Sequence, residues 1–343
     1  MNKKIAVVGA GIYGCTTALK LAARGCSVDL YDEVGVMRCA SAINQYRIHR
    51  GYHYPRSRET IQEILEAHQE FVEEYEPAIV HKVQSYYAIP KEGSYTDPDK
   101  YISVMDDFGL ALREEKPGWV DFDFIDRVWN VEERIYDPYI LRSLVVEKLE
   151  KSAIEYKNST FLKEMEEGYD HVVYATYGLH GAGAYLFPRA RYQVVEKIRI
   201  ALPEKIRNLS LVVVDGPFTA FDPLGESAYS LFGSAKHTTH WSTDTFPFDV
   251  PPEYRELLNG AEFIESPLTH FEQMRAEAAF AVPSAARAEY HGSRYTIRVV
   301  EDNPGEDRRV LYVKNSGKNF YIFSGKVVSA VKAARIVCDS VCL

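Results

Sequence analysis

A glycine-rich turn near the start of the chain constrains the fold more than any other feature. The turn Gly9-Ala10-Gly11-Ile12-Tyr13-Gly14 follows a β-branched run at residues 5–8 and precedes a helix-like stretch at 15–24. In G-x-G-x-x-G the first glycine allows the tight turn, the second lets the backbone approach a pyrophosphate, and the third permits close helix–strand packing. The helix N-terminus then faces the phosphates. We therefore predict dinucleotide binding at a βαβ unit by Gly9, Gly11, Ile12, Tyr13 and Gly14.

An acidic residue at the end of the second strand strengthens this prediction. Residues 28–31 alternate like a strand, and Asp32 follows, eighteen residues after Gly14. A carboxylate there can hold the adenosine ribose hydroxyls and disfavours a 2′-phosphate. Glu33 is adjacent and is a second candidate for the same contact. FAD or NAD is therefore favoured over NADP.

The composition excludes several classes of protein. The chain has 343 residues, 46% of them hydrophobic, which is enough for two domains. Its 40 Lys and Arg against 49 Asp and Glu give a formal charge of -9, which disfavours nucleic acid as a ligand. No apolar run is long enough to span a bilayer. Five cysteines without a disulfide or metal-binding pattern favour a reducing cytoplasm.

The segment 41–55 distinguishes between the two dinucleotides. It is a polar, aromatic loop rather than a second plain βα unit, which favours a flavin-lining role over nicotinamide binding. Its Ile48-His49-x-Gly51-x-x-Tyr54 pattern, with Ser41 and Asn44 upstream, resembles the FAD-dependent oxidoreductases of the D-amino-acid oxidase superfamily. That superfamily includes glycine and sarcosine oxidases, 2-hydroxyglutarate oxidases and flavin-linked glycerol-phosphate dehydrogenases. The resemblance implies FAD as cofactor, with Ser41 and Asn44 among its contacts.

The resemblance recurs in the middle and at the end of the chain. In the middle of the chain, the resemblance includes the strand that leads to Gly178. It implies that Gly178 lies near the cofactor. Tyr290-x-Gly292-x-Arg294 is similar to a motif whose arginine pairs with the substrate carboxylate. Residues 319–328 resemble the final strand and loop beneath the flavin, which implies cofactor contacts by Gly325, Lys326 and Val327. Lys326 stands where histidine is common in the family, and a cation there favours negative charge on reduced flavin.

Several side chains have competing interpretations. His49 is either a proton acceptor from substrate or a residue that fixes its loop through backbone hydrogen bonds. His53 and Tyr54 shape the pocket or touch substrate. Arg294 anchors an anionic group or forms an interdomain ion pair, and Lys326 lies near the flavin or in a solvated turn. We predict no metal site, because the group His237, His240 and Trp241 lacks a carboxylate and the usual ligand spacing.

We predict an α/β fold with a Rossmann-like FAD-binding domain and a second, mostly antiparallel β-sheet substrate domain. The FAD-binding domain is expected to comprise residues 1–80, 140–185 and 286–343, and the substrate domain 81–139 and 186–285. The predicted catalytic residues are His49, Arg294 and Lys326, with His53, Tyr54 and Arg294 contacting substrate.

The predicted function is FAD-dependent oxidation of a C–N bond in an amine or amino acid, with dioxygen or another electron acceptor completing the cycle. Oxidation of a 2-hydroxy acid or polyol is one alternative, and a redox-neutral flavin lyase or isomerase acting on a larger tailoring substrate is another. A non-catalytic dinucleotide-binding regulator is the least favoured hypothesis.

Overall fold

The predicted βαβ unit opens the fold. A computed structural model describes residues 3–179, 186, 189–302 and 308–342. Lys4–Val8 and Ser27–Tyr31 form adjacent parallel strands joined by the helix Ile12–Ala23. The apolar side of that helix is buried, with Cys15, Ala18 and Leu21 in the core.

Strands outnumber helices in the described ranges. In chain order, the strands are β1 (Lys4–Val8), β2 (Ser27–Tyr31), β3 (Arg47–Ile48), β4 (Ile79–Val80), β5 (Gln84–Pro90), β6 (Leu112–Glu114), β7 (Ile125–Val131), β8 (Arg134–Tyr136), β9 (Glu155–Lys157), β10 (His171–Tyr174), β11 (Ala190–Ala201), β12 (Leu209–Val213), β13 (Thr219–Pro223), β14 (Ser230–Ser234), β15 (Thr239–Thr243), β16 (Glu289–Glu301), β17 (Tyr312–Ser316) and β18 (Asn319–Phe323). The α-helices are α1 (Ile12–Ala23), α2 (Arg58–Glu74), α3 (Pro98–Asp107), α4 (Pro138–Glu150), α5 (Pro252–Arg255), α6 (Phe271–Ala281) and α7 (Ala330–Val341). Short 3-10 helices are Glu76–Ala78, Lys163–Gly168, Pro283–Arg287 and Val327–Ser329.

The first sheet has the order β17-β18-β10-β1-β2-β9. Its strands are parallel except for the β17–β18 hairpin. Helix α1 packs against α7, which in turn packs against α2. Because the carboxyl ends of parallel strands meet at one edge, the loops after β1, β2 and β10 converge there.

The second sheet is larger and mostly antiparallel. Its order is β15-β11-β14-β13-β12-β5-β7-β6, and β16 pairs with β11 outside this path. The one parallel pair recorded among its described strands is β5–β12. Ile198, Phe221 and Phe232 on its outer face pack with Phe271 and Met274 of α6. Alternate residues therefore face inward, toward the first sheet. A small third sheet, β3-β8-β4, lies beside them.

The predicted fold class is confirmed: a Rossmann-like parallel sheet accompanies a mostly antiparallel one. Strand β16 belongs to the larger sheet, although the predicted FAD-binding segment begins at 286, because β16 pairs with β11 along almost its whole length. The predicted boundary at 185 adjoins residues outside the described ranges, and the division into domains stays a prediction. In the described ranges, no helix combines the length and apolar character that crossing a bilayer requires.

Candidate active site

One cavity, of about 1270 Å³, extends from the glycine-rich turn to the inner face of the larger sheet. Its wall combines the loops after β1, β2 and β10, the segment 38–49, the turn after β18 and inward-facing residues of β11, β12 and β16. Most of the predicted site residues line it: Gly9, Gly11, Ile12, Tyr13, Asp32, Glu33, Ser41, Asn44, His49, His53, Tyr54, Gly325, Lys326 and Val327. Gly14, Gly178 and Arg294 are not part of the wall. The individual roles stay predictions.

The glycine-rich turn has room for backbone alone. Gly9 has φ +99°, and a Cβ there would lie 2.6 Å from the carbonyl oxygen of Ala175. A Cβ on Gly14 would overlap the carbonyl oxygen of Gly9. A Cβ on Gly11 would lie 3.0 Å from Ser41 Oγ, which accepts a hydrogen bond from the Ile12 amide. The turn therefore presents bare backbone to the cavity at the start of α1.

Asp32 organises the loop at the same end of the cavity. Its Oδ2 accepts a hydrogen bond from the Ala10 amide at 2.7 Å, and its Oδ1 accepts from the Val34 and Gly35 amides at 2.8 Å. Glu33 is more exposed and accepts a hydrogen bond from Thr160 Oγ1. Asp32 thus fixes the glycine-rich turn against β2 while still facing the cavity.

A buried ion pair supports the next part of the wall. Arg47 donates to both carboxylate oxygens of Asp222, at 2.7 and 2.6 Å, and neither side chain is more than 6% exposed. Gln45 Nε2 and Ser210 Oγ also donate to this carboxylate. Because both oxygens of Asp222 are bonded, the pair fixes the position of the 38–49 segment against β12 and β13. Sequence reasoning missed Asp222, which carries no local signal.

His49 lies over a buried carboxylate. Its Nδ1 is 3.5 Å from Glu133 Oε1, which also accepts a hydrogen bond from the Tyr87 hydroxyl at 2.6 Å. Burial alone would raise the pKa of Glu133, but His49, Tyr87 and Arg47 outweigh it and lower the pKa to about 2. The rings of His53 and Tyr54 lie 5.7 and 5.6 Å from that of His49. Glu133 therefore lies beside His49 in a group of aromatic and imidazole rings at the cavity wall.

The turn after β18 places a lysine in the same region. Lys326 is 3% exposed, its Nζ donates to the carbonyl of Arg309, and it lies 4.3 Å from the Tyr54 ring centroid. The Tyr13 hydroxyl donates to the Lys326 carbonyl, which joins this turn to the glycine-rich turn. Lys326 is therefore a buried wall residue and not a solvated turn residue.

Arg294, the predicted substrate anchor, is bonded to backbone carbonyls outside the cavity wall. Its Nε donates to the carbonyl of Gly260 at 3.0 Å and its Nη1 to the carbonyl of Ala42 at 2.9 Å. The guanidinium thereby holds the 38–49 segment against β16, outside the cavity wall. Arg298, four residues further along the same face of β16, does line the cavity. Gly178 is also behind the wall, while its neighbours Tyr177 and Leu179 contribute to it.

Three further charged residues, Arg56, Asp215 and Lys197, line the wall. Arg56 pairs with Asp215 through two hydrogen bonds and lies 5.2 Å from the exposed ring of Tyr95. Lys197 projects inward from β11. Lys197 lies two residues after Val195, which also faces inward from the same strand. This alternation is the one sequence signal that could have placed Lys197 in the cavity wall.

His240, which was predicted to lack a carboxylate neighbour, does have one, contributed by β11. His240 Nε2 lies 2.9 Å from Glu196 Oε2, and the ring of His270 stacks on that of His240 with 3.9 Å between centroids. The carboxylate also accepts hydrogen bonds from the His270 amide and Ser293 Oγ. These bonds already occupy both oxygens of Glu196, and the group lies outside the cavity wall. The absence of a metal site stays a prediction.

Comparisons with known proteins decide the family. The family model described as DAO, FAD dependent oxidoreductase, matches residues 4–188. The chain belongs to this family. The resemblance to the D-amino-acid oxidase superfamily is thereby confirmed, and the protein is an FAD-dependent oxidoreductase.

Similar proteins span nearly the whole chain. "FAD-dependent monooxygenase FPY4" of Fusarium mangiferae is 26% identical over 336 residues, or 94% of this chain and 87% of that protein. Glycine oxidase from Geobacillus kaustophilus has a TM-score of 0.72 at 13% identity, over 98% of this chain and 94% of its own. L-α-glycerophosphate oxidase from Mycoplasma pneumoniae, solved with FAD bound, has a TM-score of 0.69 at 12% identity, over 98% and 93%. The two structures show a shared fold.

The residues of the cavity fit FAD, the cofactor of the family. The bare backbone at Gly9 and Gly11 suits a pyrophosphate at the start of α1, and Asp32 and Glu33 lie where a ribose is expected. The flavin end would be held between the 41–44 segment and the 325–327 turn, both of which contribute to the cavity wall.

Proposed function

We propose that the protein oxidises the C–N bond of an amine or amino acid, with FAD as the hydride acceptor. The protein would supply orientation, a water-poor cavity and proton transfer, while the cofactor provides the redox chemistry. The observation that carries the proposal is the charge of the cavity wall beyond the glycine-rich turn.

Cationic side chains predominate in that part of the wall. Arg298, Arg309 and Lys326 all line it. The carboxylate of Asp215 in this part of the wall is already paired with Arg56. Asp222, which lies behind the wall, is paired with Arg47. A wall of this charge attracts a substrate carboxylate, and a low local dielectric strengthens the attraction. Arg298 takes the place of Arg294 as our candidate anchor, because a planar guanidinium suits a carboxylate.

Oxidation of a 2-hydroxy acid or polyol is the second candidate, and the His49–Glu133 pair favours it. A neutral imidazole can accept a hydroxyl proton, and the adjacent carboxylate of Glu133, 3.5 Å away, would stabilise the imidazolium that results. An anionic hydroxy acid would use the same cationic wall.

Anaerobic reduction of the flavin by pooled substrates separates these candidates. We expect the pool of amines or amino acids to bleach the visible flavin absorbance. Its members are then tested one at a time, and we expect one of them to reduce the flavin in a single turnover. Bleaching by hydroxy acids alone would select the second candidate. Incorporation of ¹⁸O from dioxygen into product would instead place the protein with the monooxygenase that it resembles. Purified protein that neither contains nor takes up FAD would contradict every one of these functions.

A further inference from the structure

Lys197 places an amine in the cavity wall, and the charged residues around it already form hydrogen bonds with other groups. It projects inward from β11, where it pairs in register with Arg294 of β16. Within the described ranges its Nζ makes no hydrogen bond and no ion pair. Arg294 donates to two backbone carbonyls, and Arg47 donates to Asp222. Among the described groups, Lys197 therefore lacks a fixed acceptor.

The charges around Lys197 come from four elements. Arg47 of β3 and Arg298 of β16 face it, Asp222 lies on β13, and Glu196 is its neighbour on the opposite face of β11. Burial, followed by Arg298 and Arg47, lowers the pKa of Lys197 to about 7, and Asp222 and Glu196 only partly oppose this. Removing an ammonium from water disfavours its charged form, and nearby cations disfavour it further. Near neutral pH the amine is therefore available both with and without its proton.

We propose that Lys197 is the general base that removes a proton from the substrate's ammonium group before its C–H bond is oxidised. The proposal rests on the C–N oxidation proposed above. In the first step, the substrate ammonium transfers one proton to the neutral Lys197 Nζ and becomes a neutral amine. The α carbon of this amine then loses its hydrogen, with both electrons of the C–H bond, as a hydride to the flavin. The nitrogen lone pair forms the second C–N bond of the resulting iminium ion, and Lys197 keeps the proton as an ammonium until solvent removes it.

The other candidates in the wall are less suited to this step. An arginine stays protonated in proteins, so Arg298 can bind an anion but cannot accept a proton. The Nζ atom of Lys326 is already held between the carbonyl of Arg309 and the face of the Tyr54 ring. The Nδ1 atom of His49 already faces the Glu133 carboxylate, 3.5 Å away.

The first test measures the Lys197 amine directly and needs no turnover. Lysines of the FAD-loaded protein are reductively methylated with ¹³C-formaldehyde, and the methyl resonances are followed by NMR between pH 5 and 11. We expect one resonance, absent in Lys197→Arg, that titrates near pH 7, whereas an unperturbed lysine titrates near about 10.4. Lys205→Arg, which changes an exposed lysine beyond the end of β11, must leave that resonance in place. A Lys197 resonance in the ordinary lysine range would overturn the proposal.

The second test separates a base from a charge. In Lys197→Met and Lys197→Arg, we expect FAD content to be unchanged and the rate of flavin reduction by substrate at pH 7 to fall by about 10²-fold or more. A small primary amine added to Lys197→Met should restore part of the rate. If Lys197→Arg retains the wild-type rate, Lys197 binds an anion and the base role is wrong, while C–N oxidation stands. If no amine or amino acid reduces the wild-type flavin, the proposed function fails and the base role with it.

Discussion

The Gly14 backbone packs directly against the carbonyl of Gly9, so that a methyl group at position 14 would overlap the Gly9 oxygen. The first turn of α1 and the end of β1 can approach this closely only without a side chain. The contact sets the angle at which the helix N-terminus meets the cavity.

We therefore expect Gly14→Ala to displace the glycine-rich turn and to abolish stable FAD binding. Overpacking at a site without room destabilises the apoprotein by about 1–3 kcal/mol. Flavin retention after gel filtration and urea unfolding of the apoprotein measure the two effects. Gly118→Ala is the matched control, because Gly118 has open space around it and no positive φ. A Gly14→Ala protein with normal flavin content would show that the turn does not set the FAD site.

The Arg47–Asp222 pair is expected to contribute to stability because it is buried. Asp222→Asn leaves the Arg47 guanidinium without its counter-ion, and breaking a buried pair in this way costs about 3–5 kcal/mol. Urea unfolding of the apoprotein measures the change. Asp107→Asn breaks the exposed pair with Arg58 and should change the free energy of unfolding by less than about 1 kcal/mol. If the two substitutions lowered the free energy of unfolding equally, burial would not explain the contribution of the Arg47–Asp222 pair.

The low pKa of Glu133 predicts a specific dependence of stability on pH. A carboxylate whose pKa falls from 4.5 to about 2 on folding stabilises the protein above about pH 5 and loses that contribution as the pH falls toward 2. The full contribution is about 3 kcal/mol at most. The difference in unfolding free energy between wild type and Glu133→Gln should therefore be larger at pH 7 than at pH 3. A difference independent of pH would mean that Glu133 is not held ionised by its partners.

Substitution of Arg294 should lower the stability of the protein, whereas substitution of Arg298 should weaken its affinity for a carboxylate ligand. Arg294→Met removes the donor to the Gly260 carbonyl and one of the two donors to the Ala42 carbonyl, which keeps the Tyr46 hydroxyl. Losing hydrogen bonds from a charged group should destabilise the protein by about 2–5 kcal/mol. Arg298→Met should instead weaken binding of a carboxylate ligand by about tenfold or more, equivalent to about 1.4 kcal/mol. Urea unfolding and ligand titration of the flavin spectrum measure the two. The reverse pattern would restore Arg294 as the anchor.

The parts of the fold that depend on neighbouring residues were predictable from the sequence. Gly9 to Asp32 encodes a turn, a helix and a second strand in one continuous stretch, so its structure follows from local periodicity and glycine placement. The 41–55 segment was likewise recognisable because its polar and aromatic residues are contiguous. Residues of both regions line the cavity.

The features that were missed depend on contacts across the sequence. Whether Arg294 or Arg298 reaches the cavity depends on the position of Ala42, about 250 residues away, because both arginines face the same side of β16. The pairing of Arg47 with Asp222 joins segments 175 residues apart. The perturbed amine of Lys197 requires strands β3, β13 and β16 to assemble around β11. Periodicity identifies which residues share a face, but not what lies opposite that face.

The pairing of β11 with β16 has a consequence for how the protein is made. These strands match at eleven positions, including Lys197 with Arg294, yet about a hundred residues separate them in sequence. Because non-local strand pairs form only after the intervening chain is available, this wall of the cavity cannot close until the chain through the end of β16 has left the ribosome. The nascent chain can therefore complete its nucleotide-binding βαβ unit long before it has a chamber in which substrate could react.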